Sequence, residues 1–236
     1  MLNSVKNERR NFMNFRNEWK HEITPFDKIV LTQRLSAVMK RDSYATDGLY
    51  HIRSLYFDDL HDTALYEKID GVNMRDKYRL RYYNGDTSYI VLERKSKING
   101  LCSKKSIPVS RHDASLLSEN RIISASELES PEARKMYAEM QSKELRPKTI
   151  VDYTRIPFTY APGNVRVTID YDIRCGVLTT DFLNPDCVTA PVPDSPIILE
   201  VKWDAFLPEV IRDAVELPNR RAAAFSKYAA CRTYDM

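Results

Sequence analysis

The chain has 236 residues, with 36 Lys and Arg against 33 Asp and Glu, so its formal net charge is only +3. This length supports one sizeable domain or two small ones, and a composition of 43% apolar and 29% charged residues excludes both a disordered chain and an integral membrane protein. A net charge this small identifies no nucleic-acid or membrane partner, so the positions of the charges matter more than their sum.

Glycine and cysteine narrow the class further. Only 6 glycines occur, and no GxGxxG or GxxxxGK[ST] pattern is present, so any phosphate must be held by side chains. The four cysteines are widely spaced without a CxxC pair, which indicates reduced thiols in the cytoplasm rather than zinc or disulfides. The polar N-terminus lacks the apolar core of a signal peptide, and no apolar run reaches the ~18 residues of a spanning helix. We therefore expect a cytoplasmic protein with no membrane segment of its own.

Alternating and β-rich segments predict eight strands, in chain order 15–23, 50–57, 77–83, 88–95, 101–109, 149–158, 165–174 and 197–203. Asn84-Gly85 and Asn99-Gly100 are hairpin signals, so the sheet is predicted to be mainly antiparallel. Eight strands are enough to close a barrel.

Helical patterns separate these strands and are predicted at 25–41, 58–70, 126–145, 207–217 and 222–234. Thr24-Pro25 is a helix start, Ser126-x-x-Glu129 is close to a capping box, and Gly71 is a C-cap. We predict an α+β fold, an eight-stranded antiparallel closed β-barrel with flanking helices. Residues 1–11 are assigned to an N-terminal tail and residues 12–236 to a single domain.

Arg and Lys recur on one face of five predicted strands. In the strand 165–174 an apolar face opposes Arg166, Thr168, Asp170, Asp172 and Arg174, and in the strand 77–83 it opposes Lys77, Arg79, Arg81 and Tyr83. One such strand is ordinary on a solvated sheet, but five indicate that the charged faces line a common interior. Because like charges repel strongly in reduced dielectric, that interior requires a polyanion, for which Arg offers bidentate phosphate contacts. The few carboxylates among the cations suggest a divalent metal bridging to phosphate.

Eight short motifs now occur in the order typical of one family: Arg16-x-Glu18-x-Lys20, Ser54-Leu55-Tyr56-Phe57-Asp58, Arg79-x-Arg81, Glu93-Arg94-Lys95, Tyr153-x-Arg155, Arg166-x-Thr168-x-Asp170, Glu200-Val201-Lys202 and Ser226-Lys227-Tyr228. Over about residues 12–236 the chain resembles the VTC-type polyphosphate polymerase domains of the CYTH-like triphosphate tunnel metalloenzymes. The resemblance implies a tunnel inside the barrel and transfer of the ATP γ-phosphate to a growing polyphosphate chain with release of ADP. It also implies a requirement for Mn²⁺ or Mg²⁺.

The resemblance assigns roles to individual residues. Catalytic phosphate ligands are implied at Lys20, Arg79, Arg81, Lys95, Arg155, Arg166 and Lys202. Further substrate contacts are implied at Arg16, Arg53, Lys104, Tyr153 and Lys227. Metal ligation is implied for Glu200 and Glu18, with an arginine-orienting role as the alternative for Glu18.

Several assignments have alternatives. Arg53 shares its face with Leu55 and is alternatively an ion-pair partner, and Tyr153 is alternatively a wall residue. Strand parity favours Lys104 over Lys105 for the tunnel face. For Glu93 and Asp170, internal pairing with tunnel cations such as Arg81 or Lys95 is favoured over metal binding.

Three functions fit a basic tunnel: a polymerase using ATP and polyphosphate, a metal-dependent triphosphatase, and a non-catalytic module that binds polyphosphate or inositol phosphates. Relatives that hydrolyse triphosphates typically open with Glu-x-Glu-x-Lys, whereas this chain has Arg16 at the first position, which favours transfer over hydrolysis. A pure polyanion receptor gains nothing from Glu200 unless a metal is present. Nucleic-acid binding is not expected, because the basic residues alternate along strands and form no external run. Any membrane partner is expected to be a separate protein.

Overall fold

The computed structural model, which describes residues 16–99, 101–121, 123–218, 222 and 224–232, contains one antiparallel sheet of ten strands in that part of the chain. The strands are β1 (Asn17–Ile23), β2 (Lys40–Arg41), β3 (Tyr50–Asp58), β4 (Met74–Tyr83), β5 (Asp86–Ile98), β6 (Leu101–Val109), β7 (Arg146–Tyr160), β8 (Val165–Gly176), β9 (Thr189–Pro191) and β10 (Ile197–Trp203). Residues 1–11, assigned above to a tail, lie outside the described residues.

The eight long strands follow the order β1-β10-β8-β7-β3-β4-β5-β6, with β2 added to β7 and β9 added to β8. The two edge strands approach each other at an antiparallel bridge between Arg16 and Cys102. The sheet therefore curls into the predicted eight-stranded α+β barrel, although its seam is that bridge and not a continuous ladder. The short strands β2 and β9 were not predicted, because two or three residues are too few to show a period of two.

Six helices lie in the described residues: α1 (Pro25–Val38), α2 (Thr63–Ile69), α3 (Arg111–Ser118), α4 (Pro131–Ser142), α5 (Glu209–Val215) and α6 (Lys227–Arg232). Thr24 forms a capping box with Asp27 at the start of α1, with Pro25 in the first turn, as predicted. None of the described helices is long and apolar enough to cross a membrane.

Two helix predictions were wrong in detail. The helix predicted from residue 126 is split, because Ser124 caps a 3₁₀ turn (Ala125–Glu127) and Ser130 caps α4 separately. The helix predicted from residue 58 begins at Thr63, because Asp58 still pairs with Arg146 in the sheet. Helix α3 was missed, since its eight residues give only two turns of periodicity.

Apolar residues form three buried clusters that separate the outside of the barrel from its interior. One outer cluster packs β4 and β5 under α3 and α4, and includes Leu80, Leu92, Leu117 and Met136. A second packs β8 and β10 under α1 and α5, and includes Leu35, Val167, Val201 and Ile211. The third lies on the inner face against α6, and includes Val151, Tyr153, Ile173, Ile198 and Tyr228. The interior is thus apolar where α6 closes it and charged elsewhere.

A bulge in β8 changes which residues face the interior. Asp172 adopts a positive φ of 49°, and the register with β7 shifts between Asp152 and Thr154. Beyond the bulge Ile173 is buried in the inner cluster, whereas Arg174 turns away and donates to the Thr189 hydroxyl at 3.0 Å. The strict alternation that assigned Asp172 and Arg174 to the charged inner face was therefore wrong at these positions.

Candidate functional site

Two arginines on β4 are buried in the barrel interior, hereafter the tunnel, and their guanidinium groups are held in fixed orientations. Arg79 donates to the Tyr56 hydroxyl at 2.8 Å and to Glu93 at 2.6 Å. Arg81 donates to Ser54 and to the Tyr153 hydroxyl, each at 3.0 Å. Both arginines are at most 6% exposed, so these contacts pre-position them for an anion.

Glu93 is the counterion of this arginine pair. Its carboxylate, 1% exposed, also accepts hydrogen bonds from Lys104 at 2.7 Å and from Ser106 at 3.1 Å. Burial alone would raise the pKa of Glu93, but the charges of Arg79, Arg81 and Lys104 lower it by a larger amount. The pKa of Glu93 therefore lies well below its ordinary range. Glu93 therefore orients tunnel cations, as the pairing alternative held, and Lys104 is the lysine of β6 that reaches the tunnel face.

Asp170 is the counterion of a second set of cations, on the opposite wall of the tunnel. Arg155 binds it in a bidentate manner, with Nε to Oδ1 at 2.7 Å and an Nη to Oδ2 at 2.8 Å, and Lys227 of α6 approaches Oδ2 at 2.5 Å. The Lys227 ammonium also lies 4.6 Å from the centre of the Tyr153 ring. Burial raises the pKa of Asp170, and Arg155 and Lys227 lower it by more. Asp170 thus stays ionised, and its ion pair with Lys227 holds α6 against the tunnel.

A square of alternating charges joins β1 to β10. The register sets Glu18 opposite Lys202 and Lys20 opposite Glu200. Lys20 contacts both carboxylates, with 3.3 Å to Glu200, and Lys202 also contacts both, with 3.2 Å to Glu18. Burial raises the pKa of Glu200, but Lys202 and Lys20 hold it well below the ordinary range, and the pKa of Glu18 is lowered in the same way. Both carboxylates remain anionic.

The chemistry of this square fits a hard divalent cation bound partly by substrate. Among the described residues, no group of three or more His, Cys, Asp or Glu side chains converges on a point. Glu18 and Glu200 could therefore supply at most two ligands to such a cation, and phosphate oxygens and water would have to supply the others. That division is the usual one for Mg²⁺ in phosphate chemistry.

Lys95 differs from the tunnel cations described above in its electrostatic surroundings. Within the part of the chain that the structure describes, no carboxylate lies within 4 Å of its ammonium, and the ion pairs of the tunnel use other cations. The nearby Lys202 charge, burial and Arg79 together hold the pKa of Lys95 well below its ordinary value. Lys95 is the position at which an anion would relieve the most repulsion.

Three implied ligands are not brought to this centre. Arg53 lies on the opposite face of β3 from Ser54 and Tyr56, and pairs with Asp152 at 2.8 Å, so the ion-pair alternative is the one observed. The role in substrate binding that the resemblance implied for Arg53 is therefore not supported by the position of its side chain, which lies on the Leu55 face as strand parity indicated.

Arg16 and Arg166 lie towards the ends of their strands. Arg16 pairs with Asp204 at 2.8 Å and contacts the Asn164 carbonyl, so its side chain is held by protein groups. Arg166 pairs with Asp42 at 3.2 Å and is partly exposed, while its buried Nε has no hydrogen-bond partner in the described part of the chain. Of the two, Arg166 retains a donor for a ligand.

Sequence reasoning gave no role to several tunnel residues. Tyr56 and Ser54 hold the β4 arginines, and Lys77 lies beside Lys95. The buried Thr168 hydroxyl has no hydrogen-bond partner among the described residues. Strand parity could have found Tyr56 and Ser54, because both alternate with Leu55 within a quoted motif.

Comparison with known proteins agrees with this architecture. A family model described as the VTC domain matches residues 15–234. No curated protein matches the chain.

Solved structures share the fold at low identity. HpAC1 of Hippeastrum, a candidate adenylyl cyclase with a dominant triphosphatase activity, is 15% identical over 93% of this chain and 96% of that chain, with a TM-score of 0.59. A candidate adenylate cyclase from Bacillus halodurans is 12% identical over 80% of each chain, with a TM-score of 0.48. The capping enzyme triphosphatase of Mimivirus is 12% identical over 86% of this chain and 87% of that chain, with a TM-score of 0.42. At these identities the likeness is one of fold, and of these three only the Hippeastrum comparison, above 0.5, carries weight.

Proposed function

This chain belongs to the VTC domain family, and from that premise we propose that it is a polyphosphate polymerase that transfers the γ-phosphate of ATP to a growing polyphosphate chain and releases ADP. A barrel interior with buried, pre-positioned arginines supports a polyanionic substrate. The family membership supports phosphate chemistry, and the choice of transfer over hydrolysis rests on the tunnel carboxylates.

The observation that carries the proposal is that every described tunnel carboxylate is already paired with cations. Glu93 and Asp170 are buried counterions, and Glu18 and Glu200 each contact two lysines. Their pKa values are all lowered, whereas a general base that activates water at neutral pH needs a pKa near 7. A phosphate acceptor is already ionised and needs no such base, so the arrangement favours transfer to phosphate.

The reaction then depends on position and charge. A terminal oxygen of the polyphosphate chain forms a bond to the γ-phosphorus of ATP, and the bond from that phosphorus to the β,γ-bridging oxygen breaks, with its electron pair leaving on ADP. Arg79 and Arg81 are held rigidly enough to stabilise the charge that spreads over the transferred group. Lys95, without a counterion, offsets the repulsion between donor and acceptor.

Mn²⁺ or Mg²⁺ is the proposed cofactor, held by Glu200 and Glu18. When bound, the ion supplies positive charge to the phosphate oxygens of donor and acceptor. Lys20 and Lys202 hold both carboxylates in place and keep them ionised, and they remain available to phosphate when the carboxylates turn to the ion.

The test is a product assay with purified protein, ATP and Mn²⁺. We expect phosphate chains on urea gels stained with a polyphosphate dye, together with released ADP. Inorganic phosphate without chains at any ATP concentration would support the triphosphatase instead, and tight polyphosphate binding without turnover would support a receptor. Arg79→Ala should abolish synthesis, whereas Arg94→Ala, on the outer face of β5 beside Glu139, is the matched control that should retain it.

A further inference from the structure

A groove lies on the outside of the barrel, away from the tunnel, between α2 and the residues that follow α4. Its floor is the outer face of β4 and β5, and it holds a cavity of about 590 Å³. We call the surface around this cavity the outer groove. Its walls and floor include Ala64 and Glu67 of α2, Tyr78 and Ile98 of the sheet, and Leu145. Helices α3 and α4 pack on the same sheet face further along the strands, so the outer groove is a part of that face that they leave open.

A row of apolar side chains borders the outer groove. The sheet register places Met74 opposite Ile98 and Ile98 opposite Leu101, so the row crosses three strands. Met74 lies four residues before Tyr78, which packs in an outer cluster, so the row belongs to the outer face. Met74 is 67% exposed and Leu101 is 44% exposed. Exposed apolar side chains that lie side by side indicate an interaction surface, whereas scattered ones do not.

The outer groove is lined by equal numbers of acidic and basic side chains, namely Asp58, Asp59, Glu67, Asp76, Arg75, Arg94, Lys97 and Lys143. Most of them are satisfied within the chain. Asp58 and Asp59 accept hydrogen bonds from backbone amides at the start of α2. Asp76 accepts hydrogen bonds from a serine of β5 and from the lysine that follows α4. Arg94 pairs with a carboxylate of α4, and Arg75 donates to a backbone carbonyl.

Glu67 and Lys97 are the exceptions. Neither side chain forms an ion pair or a hydrogen bond with any residue that the structure describes, and both are partly exposed. Burial raises the pKa of Glu67, and the charges of Asp58 and Asp76 raise it further, against the opposing effect of two nearby cations. The cations of its own chain therefore do not compensate Glu67. A cation from outside the chain would stabilise Glu67, and an anion from outside would pair with Lys97.

We propose that the outer groove is the contact surface of a homodimer, in which a second copy of this chain covers it about a two-fold axis. In such a dimer residue i of one copy contacts residue j of the other, and symmetry repeats the contact in reverse. A surface that combines an unpaired carboxylate, an unpaired cation and an apolar row is therefore complementary to itself. Glu67 of each copy pairs with Lys97 of the other.

Met74 supplies the apolar part of this contact. It is the most exposed member of the row and stands at the rim of the cavity, and its unbranched, flexible side chain suits an irregular hollow. In the dimer Met74 of each copy enters the cavity of the other. The tunnel end at Tyr83, at the opposite end of β4, stays uncovered.

Other occupants fit the outer groove less well. A strongly basic or strongly acidic partner would meet as many charges of its own sign as of the opposite sign, because the two are equal in number. An anionic membrane attracts an excess of basic residues, which the outer groove lacks. A second copy carries the matching mixture of charges by necessity.

The first test is the oligomeric state of the purified full chain, measured by sedimentation equilibrium over a wide range of protein concentration. We expect wild type to approach twice the monomer mass as the concentration rises. Met74→Glu should weaken the dimer at least about 100-fold, because the substitution acts twice across a two-fold interface. Val188→Glu is the matched control, since Val188 is 69% exposed and lies outside the outer groove. Both variants should bind tripolyphosphate like wild type, which shows that the fold is intact.

The second test exchanges the charges of the proposed contact. Glu67→Lys and Lys97→Glu should each be monomeric, because each variant opposes like charges across the interface. An equimolar mixture of the two variants should dimerise, since two lysines on one copy then face two glutamates on the other.

Each outcome bears on the homodimer alone, because neither test uses ATP or Mn²⁺ and a failure of the polymerase proposal leaves both unchanged. A wild type that is monomeric at every concentration would overturn the homodimer and leave the outer groove to a different partner. A dimer that Met74→Glu leaves intact, a dimer that Val188→Glu weakens equally, or a mixture of the charge variants that fails to dimerise would also overturn it.

Discussion

The tunnel cations fall into two groups that differ in their counterions. Arg79 and Arg155 are each held by a buried carboxylate, so their positions are fixed before any ligand arrives. Lys95 and Lys77 have no carboxylate partner in the described part of the chain, and their pKa values are lowered. The first group presents guanidinium groups in fixed positions. The second presents positive charge that no carboxylate of the described residues pairs with directly.

Lys95→Met tests this division directly. Removing a buried, unpaired charge relieves desolvation and repulsion, so we expect Tm to rise by about 2–4 °C, the change that about 1 kcal/mol produces at this size. The same substitution should weaken tripolyphosphate binding about 10- to 100-fold, because one charge-assisted contact is lost. Thermal unfolding and calorimetric titration measure the two effects. A fall in Tm together with unchanged affinity would mean that Lys95 is structural.

Glu200→Gln separates the metal from the polyanion. We expect Mn²⁺-dependent synthesis to fall at least about 100-fold, because the substitution removes an anionic oxygen ligand. Metal-free polyphosphate binding should be retained or strengthened, since a negative charge has left the tunnel. Glu139→Gln, on the outer side of α4, is the matched control. Full Mn²⁺-dependent activity in the Glu200 variant would rule out Glu200 as a metal ligand.

The pH dependence of polyphosphate binding reports on Lys77. The charged and polar groups around Lys77 lie on β1, β3, β4, β5, α2 and α6 and on the residue before α6. They are Lys20, Asp58, Lys68, Arg75, Lys95, Ser226 and Tyr228. With a pKa of about 7, Lys77 is charged at pH 6 and mostly neutral at pH 8. At pH 8 a polyanion gains the Lys77 charge only if the amine takes up a proton, and that uptake weakens binding. We expect Lys77→Arg to bind a long chain like wild type at pH 6 and up to about tenfold more tightly at pH 8. Parallel pH profiles for the two proteins would show that Lys77 does not titrate in this range.

At the scale of elements, α6 connects the apolar and charged parts of the interior. Tyr228 is buried against the inner cluster and donates its hydroxyl to Asp58 at 2.6 Å, while Lys227, its neighbour in the chain, pairs with Asp170. Asp58 also accepts from the first backbone amides of α2. Helices α2 and α6 are therefore joined through one carboxylate at the end of β3.

Tyr228→Phe should loosen this connection. We expect a loss of about 1–2 kcal/mol in the free energy of unfolding, because a hydrogen bond to a charged group is removed without a change of shape. Amide hydrogen exchange should accelerate in α6 more than in β4. Tyr66→Phe, an exposed tyrosine of α2, is the control and should change neither. Equal stability of the Tyr228 variant and wild type would show that the hydroxyl does not hold α6.

The sequence predicts the strands more accurately than the contacts between them. Parity assigned Arg79, Arg81 and Glu200 to the inner face because apolar residues predominate on the other face of their strands. Parity also placed Arg53 with Leu55, whereas the resemblance implied a substrate contact for it, and parity failed from Asp172 onwards, where a bulge reverses the alternation. The pairing of Glu18 and Glu200 with two lysines depends on the β1–β10 register, which joins the two ends of the chain and cannot be read from either segment alone.

On the scale of the whole molecule, a net charge of +3 conceals a separation of charge by location. Each carboxylate described in the tunnel contacts two or more cations, so positive charge exceeds negative charge there. A near-neutral exterior with a cationic interior confines polyanion binding to the tunnel, where ATP and the end of the chain can be aligned.

The fate of the γ-phosphorus of ATP tests the central claim most directly. Purified protein is incubated with γ-labelled ATP and Mn²⁺, and the label is divided between acid-stable phosphate chains and orthophosphate while ADP is counted. For a polymerase we expect most of the label to enter chains, with one ADP formed for each phosphate added. Label that appears only as orthophosphate, with the same yield of ADP, would contradict it and make the protein a hydrolase.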